Sequence, residues 1–190
     1  MNMEMRYFHP SGTEVILRRG SLLDQADVDS IVNAQNVRMR GGSGINGAIH
    51  TKAGEELMKE LERVAPRGCM TGAVKVTKGY GTGFSHILHT PGPVWEDGFS
   101  GEYHALGSCY INVLTQANRL NLESVGFCSI STGIFKFPLE EAAKVALDSV
   151  NHWLSLPHDR NSLERIVFAM YGEEEYNVYS ERFNHFQSIY

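Results

Sequence analysis

Apolar residues are distributed along this chain in two kinds of segment, short runs typical of buried strands and longer stretches with helical spacing. Short runs rich in Val, Ile and Leu occupy residues 13–17, 28–32, 73–77, 85–90, 124–130 and 165–171. A spacing of three or four residues between apolar positions, typical of a helix with one buried face, occurs in residues 45–64, 104–120, 138–154 and 173–186. The pattern therefore predicts six strands interleaved with four helices.

This alternation of strands and helices predicts an α/β sandwich around a mixed sheet. Ligands of such sheets bind where the carboxyl ends of strands meet. Two predicted strands end in turns that contain glycine and are followed by helices: Val32 leads into residues 33–47, and Ile130 leads into residues 131–135. We expect both turns to close on one ligand from opposite sides.

The first of these turns is unusually rich in glycine. Gly41, Gly42 and Gly44 stand between the predicted strand and helix, and Gly47 lies in the first turn of the helix. Glycine lets the backbone approach a ligand closely, and the first N–H groups of a helix point at an anion with the helix dipole behind them. The stretch therefore predicts a site for phosphate or diphosphate.

Residues 42–47 match the pattern G-x-G-x-x-G of dinucleotide-binding Rossmann folds. In that fold the strand ends directly before the first glycine, and an acidic residue follows about 20 positions later at the end of a second strand. Here residues 33–41 separate the strand from Gly42, and Glu60 and Glu62 lie inside a predicted helix. The spacing argues against a nicotinamide site.

Composition limits the classes of partner. The chain has 190 residues, 42% of them hydrophobic and 21% charged, which is typical of one soluble globular domain. Its formal net charge of −5 provides no general attraction to nucleic acid or to an anionic membrane. We therefore expect no DNA and no membrane partner, and a phosphate site built mainly from backbone donors.

The cysteines and the amino terminus indicate the compartment. Cys69, Cys109 and Cys128 are odd in number and form no C-x-x-C pair, so neither a zinc site nor a disulfide framework is predicted. The first residues lack the apolar stretch of a signal peptide, and no run reaches the length of a membrane span. We expect a cytoplasmic monomer that needs no metal and no cofactor.

Five motifs, in order along most of the chain, resemble those of the macrodomain family of ADP-ribose-binding modules. They are VDSIVNAQN (28–36), GGSGINGAIH (41–50), TG (71–72) with TKGY (77–80), HTPGPVW (89–95) and SISTGIFKFP (129–138). The similarity covers about residues 13–186. It implies one macrodomain over residues 1–190, folded as a three-layer α/β/α sandwich with a mixed central sheet of about six strands.

The resemblance implies specific ligand contacts. Asn36 matches the family's asparagine that binds the hydroxyls of the distal ribose, and an amide offers the donor and acceptors that a vicinal diol requires. The first diphosphate loop, beside the distal ribose, corresponds to Ser43, Gly44 and Ile45. The second corresponds to Ser131, Thr132, Gly133, Ile134 and Phe135, of which the last flanks the distal ribose. ADP-ribose is the implied ligand.

The sequence departs from the family pattern at two positions. The MacroD-type branch, which the chain resembles most, has an aspartate ten residues after the ribose asparagine, whereas this chain has Asn46, which cannot accept a proton at neutral pH. Where relatives have an aspartate that reads the adenine amino group, this chain has Ser21. Tyr171 matches an aromatic residue that packs against adenine in relatives.

Two functions from different classes are consistent with these residues. As MacroD-type members do, the protein would remove mono-ADP-ribose from protein carboxylates or deacetylate O-acetyl-ADP-ribose, with Asn36 holding the ribose and Asn46 orienting water or ribose. Alternatively, because Asn46 replaces the carboxylate, it would be a non-catalytic module that reads ADP-ribosylated proteins or senses free nucleotide. A related nucleotide, such as a cyclic phosphate or an NAD derivative, is a third possibility because of Ser21.

Overall fold

The computed structural model describes residues 4–189, with side chains described as far as residue 185. Seven strands form one sheet: β1 (Glu4–Phe8), β2 (Glu14–Arg19), β3 (Ser30–Gln35), β4 (Lys75–Lys78), β5 (His86–Pro91), β6 (Ser124–Phe127) and β7 (Arg165–Met170). Their order across the sheet is β1-β2-β7-β6-β3-β5-β4. The five inner strands are parallel, whereas the edge strands β1 and β4 are antiparallel to their neighbours.

The mixed sheet is confirmed, but it has seven strands where about six were expected. The additional strand is β1, which pairs with β2 from Glu4 opposite Arg18 to Phe8 opposite Glu14. Its sequence, EMRYF, alternates polar and apolar residues, and none of its side chains is fully buried. An edge strand of five residues that is half exposed has no continuous apolar run, so the hydrophobic pattern missed it.

Five helices cover the sheet: α1 (Gly44–Ala53), α2 (Glu55–Val64), α3 (Glu102–Arg119), α4 (Leu139–Ser155) and α5 (Glu173–Ile189). Alternate residues of one strand serve opposite layers, as the pleat requires. Val15 and Leu17 of β2 pack into a core with α3, α4 and α5, whereas Ile16 packs into a second core with α1 and α2. This arrangement confirms the three-layer sandwich.

The prediction of one helix over residues 45–64 is wrong, because the chain forms two helices that meet at Gly54. Gly54 has a φ of +84°, and its N–H donates to the carbonyl oxygen of His50 over 3.1 Å. The apolar spacing continues across this break, since Ile49 of α1 and Leu57 of α2 are buried in the same core. Periodicity alone therefore did not reveal the interruption.

Parallel strands bring the two predicted turns together. β3 and β6 are neighbours with the same direction, so the segments that follow Gln35 and Phe127 leave the sheet at the same edge. The strand predicted over residues 124–130 stops at Phe127, and residues 128–130 already belong to the approach to the second turn. The α/β arrangement thus places both turns at the carboxyl edge of the sheet.

The remaining expectations about packing concern cysteines and the last helix. Cys69, Cys109 and Cys128 are free thiols. The inward aromatic residues predicted for α5 are buried at Tyr176, Tyr179 and Phe183. The side chain of Phe186, predicted with them, lies outside the described residues. In the part of the chain described here, no helix is both long enough and apolar enough to cross a membrane.

Candidate functional site

A cleft of about 200 Å³ opens at the carboxyl edge of the sheet, between a first loop (residues 36–45) and a second loop (residues 131–135). Nine residues predicted from the sequence line it: Asn36, Ser43, Gly44, Ile45, Asn46, Ser131, Gly133, Ile134 and Phe135. The cleft is also lined by residues that had not been assigned to the site: Ala34, Gln35, Gly42, Gly92 and Ser129. All five belong to the quoted motifs, and they lie at or just beyond the carboxyl ends of β3, β5 and β6 or in the first loop.

The lining of this cleft is neutral. Among the described residues that line it there is no Asp, Glu, His, Lys or Arg side chain. An anion bound here is therefore held by backbone N–H groups, hydroxyls and amides, as expected for a protein of net negative charge. Within residues 4–189, no group of three His, Cys, Asp or Glu side chains is placed to hold a metal ion.

The side-chain amide of Asn36 organises the first loop. Its Oδ1 accepts hydrogen bonds from the backbone N–H groups of Arg38 and Arg40, at 3.1 and 3.3 Å. Its Nδ2 donates to the carbonyl oxygen of Arg40 over 2.7 Å and to Gln35 Oε1 over 3.1 Å. The amide predicted to bind a ribose therefore also fixes the loop conformation, and a ligand must share or replace these contacts.

A half-buried histidine, His50, supports Asn36 through Gln35. Gln35 accepts from the backbone N–H and Nδ2 of Asn36 through its Oε1, and its Nε2 lies 3.2 Å from His50 Nε2. Because the Gln35 amide is the donor in that contact, His50 accepts at Nε2 and carries its proton at Nδ1. Burial lowers the pKa of His50, which favours this neutral form.

Beneath the cleft, a second chain of hydrogen bonds fixes Asn46, which is only 6% exposed. Asn46 Nδ2 donates to the carbonyl oxygen of Arg40 over 2.9 Å, and Asn46 Oδ1 accepts from Asn33 Nδ2 over 3.0 Å. The same Asn33 nitrogen lies 3.1 Å from His89 Nδ1. Asn33 is therefore a buried structural residue that links β3 to α1 and β5.

His89 continues this chain as a neutral imidazole, which accepts at one ring nitrogen and donates at the other. It is fully buried, and burial lowers its pKa to about 3. With Asn33 donating to Nδ1, the ring proton sits at Nε2, 2.9 Å from Thr77 Oγ1. Thr77 in turn donates to the carbonyl oxygen of Lys78. Neither His50 nor His89 lines the cleft, so His50 acts on it through Gln35 and His89 through Asn33.

Close backbone packing brings the first loop against the start of α1. A Cβ atom at Gly47 would lie 2.3 Å from the carbonyl oxygen of Gly42, so only glycine permits this approach. Gly44 begins the helix with a φ of +59°. Ser43, immediately before α1, makes no capping hydrogen bond with its side chain. Residues 43–46, at the start of α1, line the cleft.

The second loop is a tight turn held in an unusual conformation. Ser131 has a φ of +68°, although it is not glycine. Its carbonyl oxygen accepts from Phe137 N over 3.0 Å, and that of Gly133 accepts from Lys136 N over 3.0 Å. The Ser131 Oγ is buried without a hydrogen-bond partner among the described residues. It packs on Gly92, where an added Cβ would lie 2.1 Å from this oxygen.

A side loop supports the second loop. Trp95 N donates to the carbonyl oxygen of Phe135 over 2.8 Å, and the Trp95 ring packs edge-on against Phe137 at 4.8 Å. The loop that follows Trp95 is folded around Glu102, whose carboxylate accepts hydrogen bonds from the backbone N–H groups of residues 96, 97, 98 and 100. The backbone N–H of Glu102 itself, together with those of residues 96–98, lowers the pKa of Glu102 to about 2. The stretch thus anchors Phe135.

Three predicted residues lie outside the lining of the cleft. Thr132 turns away and donates to the carbonyl oxygen of Ser129 over 3.1 Å. Ser21 caps a short turn by accepting from Leu23 N over 3.2 Å. Tyr171 is 81% exposed. Ser21 and Tyr171 follow the ends of the neighbouring strands β2 and β7, where Gly20 N donates to the carbonyl oxygen of Met170.

Comparison with known proteins agrees with this architecture. The Macro domain family model matches residues 32–146. A macro domain-containing protein of Chlorobaculum tepidum is 40% identical over 154 residues, which cover 81% of this chain and 87% of that protein. The ADP-ribose glycohydrolase MACROD2 of Homo sapiens is 37% identical over 177 residues, covering 93% of this chain but only 40% of that protein.

Solved structures show the same fold. An Oceanobacillus iheyensis macrodomain with ADP superimposes with a TM-score of 0.92 at 28% identity, over 100% of both chains. A Trypanosoma brucei macrodomain in complex with ADP-ribose gives a TM-score of 0.80 at 37% identity, over 89% of this chain and 68% of that one. On the family model, the sequence identity and the shared fold, this chain belongs to the macro domain family.

Proposed function

We propose that the cleft binds ADP-ribose and that the protein hydrolyses ADP-ribose derivatives, either mono-ADP-ribose on protein carboxylates or O-acetyl-ADP-ribose. The observation that carries this proposal is a cleft with a neutral lining between two loops whose backbone N–H groups are available to an anion. Asn36 and Asn46 also line this cleft. Support comes from the relatives: human MACROD2 is named an ADP-ribose glycohydrolase, and a Trypanosoma brucei macrodomain was solved with ADP-ribose.

In the proposed complex the diphosphate lies between the start of α1 and the second loop. The N–H groups of residues 43–45 stand at the positive end of the α1 dipole, which favours an anion without a lysine or arginine. The Ser131 hydroxyl, buried and unpartnered among the described residues, supplies a further donor. The distal ribose then lies near Asn36 and Phe135, and the adenine extends toward Ser21 and Tyr171.

The proposed reaction is an attack by water. For a protein ester, the water oxygen forms a bond to C1″ of the distal ribose, the bond from C1″ to the carboxylate oxygen breaks, and the protein carboxylate leaves. For O-acetyl-ADP-ribose, water adds to the acyl carbon, the bond from the acyl carbon to the ribose oxygen breaks, and the ribose oxygen takes up a proton as acetate is released. Asn36 holds the ribose hydroxyls, and the amide of Asn46 orients the attacking water or the ribose.

The proton of the attacking water needs an acceptor other than the lining side chains. Asn46 is an amide, and no titratable side chain lines the cleft among the described residues. An oxygen of the ligand's own diphosphate, held beside the distal ribose, is the proposed acceptor and then releases the proton to solvent. Turnover by this route is slow compared with catalysis by a positioned carboxylate.

A second function, a non-catalytic reader of ADP-ribosylated proteins, is favoured by the contacts of Asn46. Both of its amide atoms are engaged, Oδ1 by Asn33 and Nδ2 by the carbonyl oxygen of Arg40. An amide used for loop architecture is well suited to holding a ligand in place and poorly suited to activating water. Binding without turnover follows if the diphosphate does not accept the proton.

The test is release of label from an auto-ADP-ribosylated protein with ester-linked ADP-ribose, with calorimetry of free ADP-ribose in parallel. Release that Asn36→Ala abolishes would support the hydrolase, and faster release by Asn46→Asp would identify the missing carboxylate as the limiting feature. Tight binding with release only in Asn46→Asp would establish the reader. An absence of ADP-ribose binding would refute both functions.

A further inference from the structure

A second concavity adjoins the cleft on the outer side of the first loop. It is an open groove of about 730 Å³ between residues 37–40 and residues 66–71, which we call the arginine groove. Its lining includes two exposed apolar side chains, Val37 at 52% and Met70 at 80% exposure. Around them stand Arg38, Arg40 and Arg67. The groove thus combines an apolar surface with a positive rim.

Most of this positive charge is not neutralised within the protein. Arg40 pairs with Glu62 over 2.7 Å. Arg38 and Arg67 are exposed, and neither makes an ion pair with any residue of the described range. In a chain with a net charge of −5, a local site with two unpaired guanidinium groups is complementary to a negatively charged partner.

The groove is built from rigid backbone. Met39 has a φ of +56° and is buried to 2% exposure, so its side chain anchors the turn from which Arg38 and Arg40 project outward. Residues 66–71 pack directly on that turn: Cys69 N donates to the carbonyl oxygen of Val37 over 2.9 Å, and a Cβ at Gly68 would lie 2.2 Å from the same oxygen. A preformed surface loses little entropy on binding.

The groove and the cleft share a wall. Asn36 lines the cleft, and the next residue, Val37, lines the groove. The Arg40 carbonyl oxygen accepts from both Asn36 and Asn46, which tie the groove backbone to the cleft. A substituent that leaves the distal ribose near Asn36 therefore emerges beside the arginines.

We propose that the arginine groove binds an extended acidic segment of the ADP-ribosylated protein, next to the modified residue. This inference rests on the proposed function, because it takes the distal ribose to lie at Asn36. Guanidinium groups bind carboxylates with paired hydrogen bonds, and the apolar surface accommodates an aliphatic side chain between them. The groove thus determines which modified proteins the site prefers.

An acidic peptide suits this groove better than RNA does. Proteins that bind single-stranded nucleic acid stack its bases on aromatic side chains. Among the described residues the groove is lined by no Phe, Tyr, Trp or His. Its apolar surface is aliphatic, and its arginines flank a space that opens directly onto the ribose end of the cleft.

The experiment compares three probes: free ADP-ribose and two synthetic peptides that carry ADP-ribose on a central glutamine through a hydrolysis-resistant amide. One peptide has glutamates around the modified residue, and the other has serines. Affinity is measured by calorimetry for the full chain and for the double variant Arg38→Glu/Arg67→Glu. Arg160→Glu serves as the control, since exposed Arg160 lies in the loop before β7, at the opposite edge of the sheet.

We expect the wild-type protein to bind the glutamate peptide about tenfold more tightly than the serine peptide, and high salt to remove this preference. The double variant should lose the preference and keep its affinity for free ADP-ribose, whereas Arg160→Glu should change neither. Equal affinity for the two peptides, or a preference that the double variant retains, would overturn the inference. An ADP-ribosylated RNA oligonucleotide is measured as a fourth probe, and tighter binding of this RNA than of either peptide would also overturn the inference.

Failure of the inference is distinguishable from failure of the proposed function. If the wild-type protein binds none of the three probes, the proposed ADP-ribose site itself is wrong. If it binds free ADP-ribose and both peptides equally, the cleft is correct and only the role of the arginine groove is rejected.

Discussion

Asn33 donates a hydrogen bond to Asn46 over 3.0 Å, and this contact joins the end of β3 to the first turn of α1 under the cleft. Both N–H groups of the Asn33 amide are used, the second toward His89 over 3.1 Å. Asn46 completes the link by donating to the carbonyl oxygen of Arg40. Asn46, which stands where MacroD-type relatives have a carboxylate, is therefore part of a neutral, buried network of hydrogen bonds.

Asn46→Asp should lower the free energy of unfolding by about 1–3 kcal/mol at neutral pH. One carboxylate oxygen can still accept from Asn33, but the other replaces a donor that faces the Arg40 carbonyl oxygen at 2.9 Å. The loss should shrink in acid, where a protonated carboxyl donates to that oxygen. Urea unfolding at neutral and acidic pH measures this, with exposed Asn177→Asp on α5 as control. An equal loss at both pH values would contradict it.

His89 should make stability depend on pH. Its folded pKa of about 3 lies below the ordinary value of 6.5, so between these values the unfolded chain binds a proton that the native protein excludes. The stabilisation is present above 6.5 and is lost as pH falls toward 3, by up to about 1.4 kcal/mol for each pH unit. Chemical unfolding across this range measures the slope.

His89→Asn is the test of that assignment. The amide oxygen of the introduced asparagine can still accept from Asn33, and the variant should be less stable than the wild-type protein near neutral pH. Because the amide does not titrate, the dependence of stability on pH should be shallower below pH 6.5. His104→Asn, at an exposed position of α3, is the matched control. An unchanged slope in His89→Asn would show that another group is responsible.

Ser131→Ala should separate stability from ligand affinity. In the free protein the Ser131 hydroxyl is buried without a partner among the described residues, so its removal should leave stability unchanged or raise it by about 1 kcal/mol. In the proposed complex the hydroxyl donates to a diphosphate oxygen, and its loss should weaken ADP-ribose binding by about tenfold or more. Thermal unfolding and calorimetry test both parts. Unchanged affinity for ADP-ribose in this variant would show that the Ser131 hydroxyl does not bind the ligand.

Gly47→Ala should weaken ADP-ribose binding through the backbone. The added methyl group would lie 2.3 Å from the Gly42 carbonyl oxygen, so the first loop must move away from α1. Gly172→Ala is the control, because its methyl group meets no atom closer than 3.9 Å. We expect at least about tenfold weaker binding for Gly47→Ala. Wild-type affinity in this variant would show that the packing of Gly42 on Gly47 is unimportant for the ligand.

The sequence was sufficient for the architecture and for most of the cleft lining. Alternating strand and helix patterns predict the layers, and the carboxyl-edge rule brings the two loops that follow Val32 and Ile130 together. β1 was missed because the prediction relied on continuous apolar runs, and this five-residue edge strand has none. The break at Gly54 was missed because the buried positions on both sides continue one helical spacing.

The hydrogen bonds beneath the cleft could not be predicted from the sequence, for a different reason. Asn33, Asn46 and His89 are brought together by the pairing of β3 with β5 and by the packing of α1. Which nitrogen of His89 accepts, and whether Asn46 faces ligand or protein, depends on contacts between residues that are far apart in the chain. For the same reason the arginine groove, formed by residues 37–40 and 66–71, has no signature in either segment alone.

The central claim is that ADP-ribose binds in the cleft between the two loops, and calorimetry of ADP-ribose with Gly133→Val tests it most directly. Gly133 lines the cleft, and a Cβ there meets no protein atom within 4 Å, so the valine should fill ligand space without disturbing the fold. Ala48→Val, at an exposed position of α1, is the control. The account predicts one ADP-ribose per wild-type chain, and binding at least about tenfold weaker in Gly133→Val at unchanged thermal stability. Binding of equal strength in Gly133→Val, or none in the wild-type protein, would contradict it.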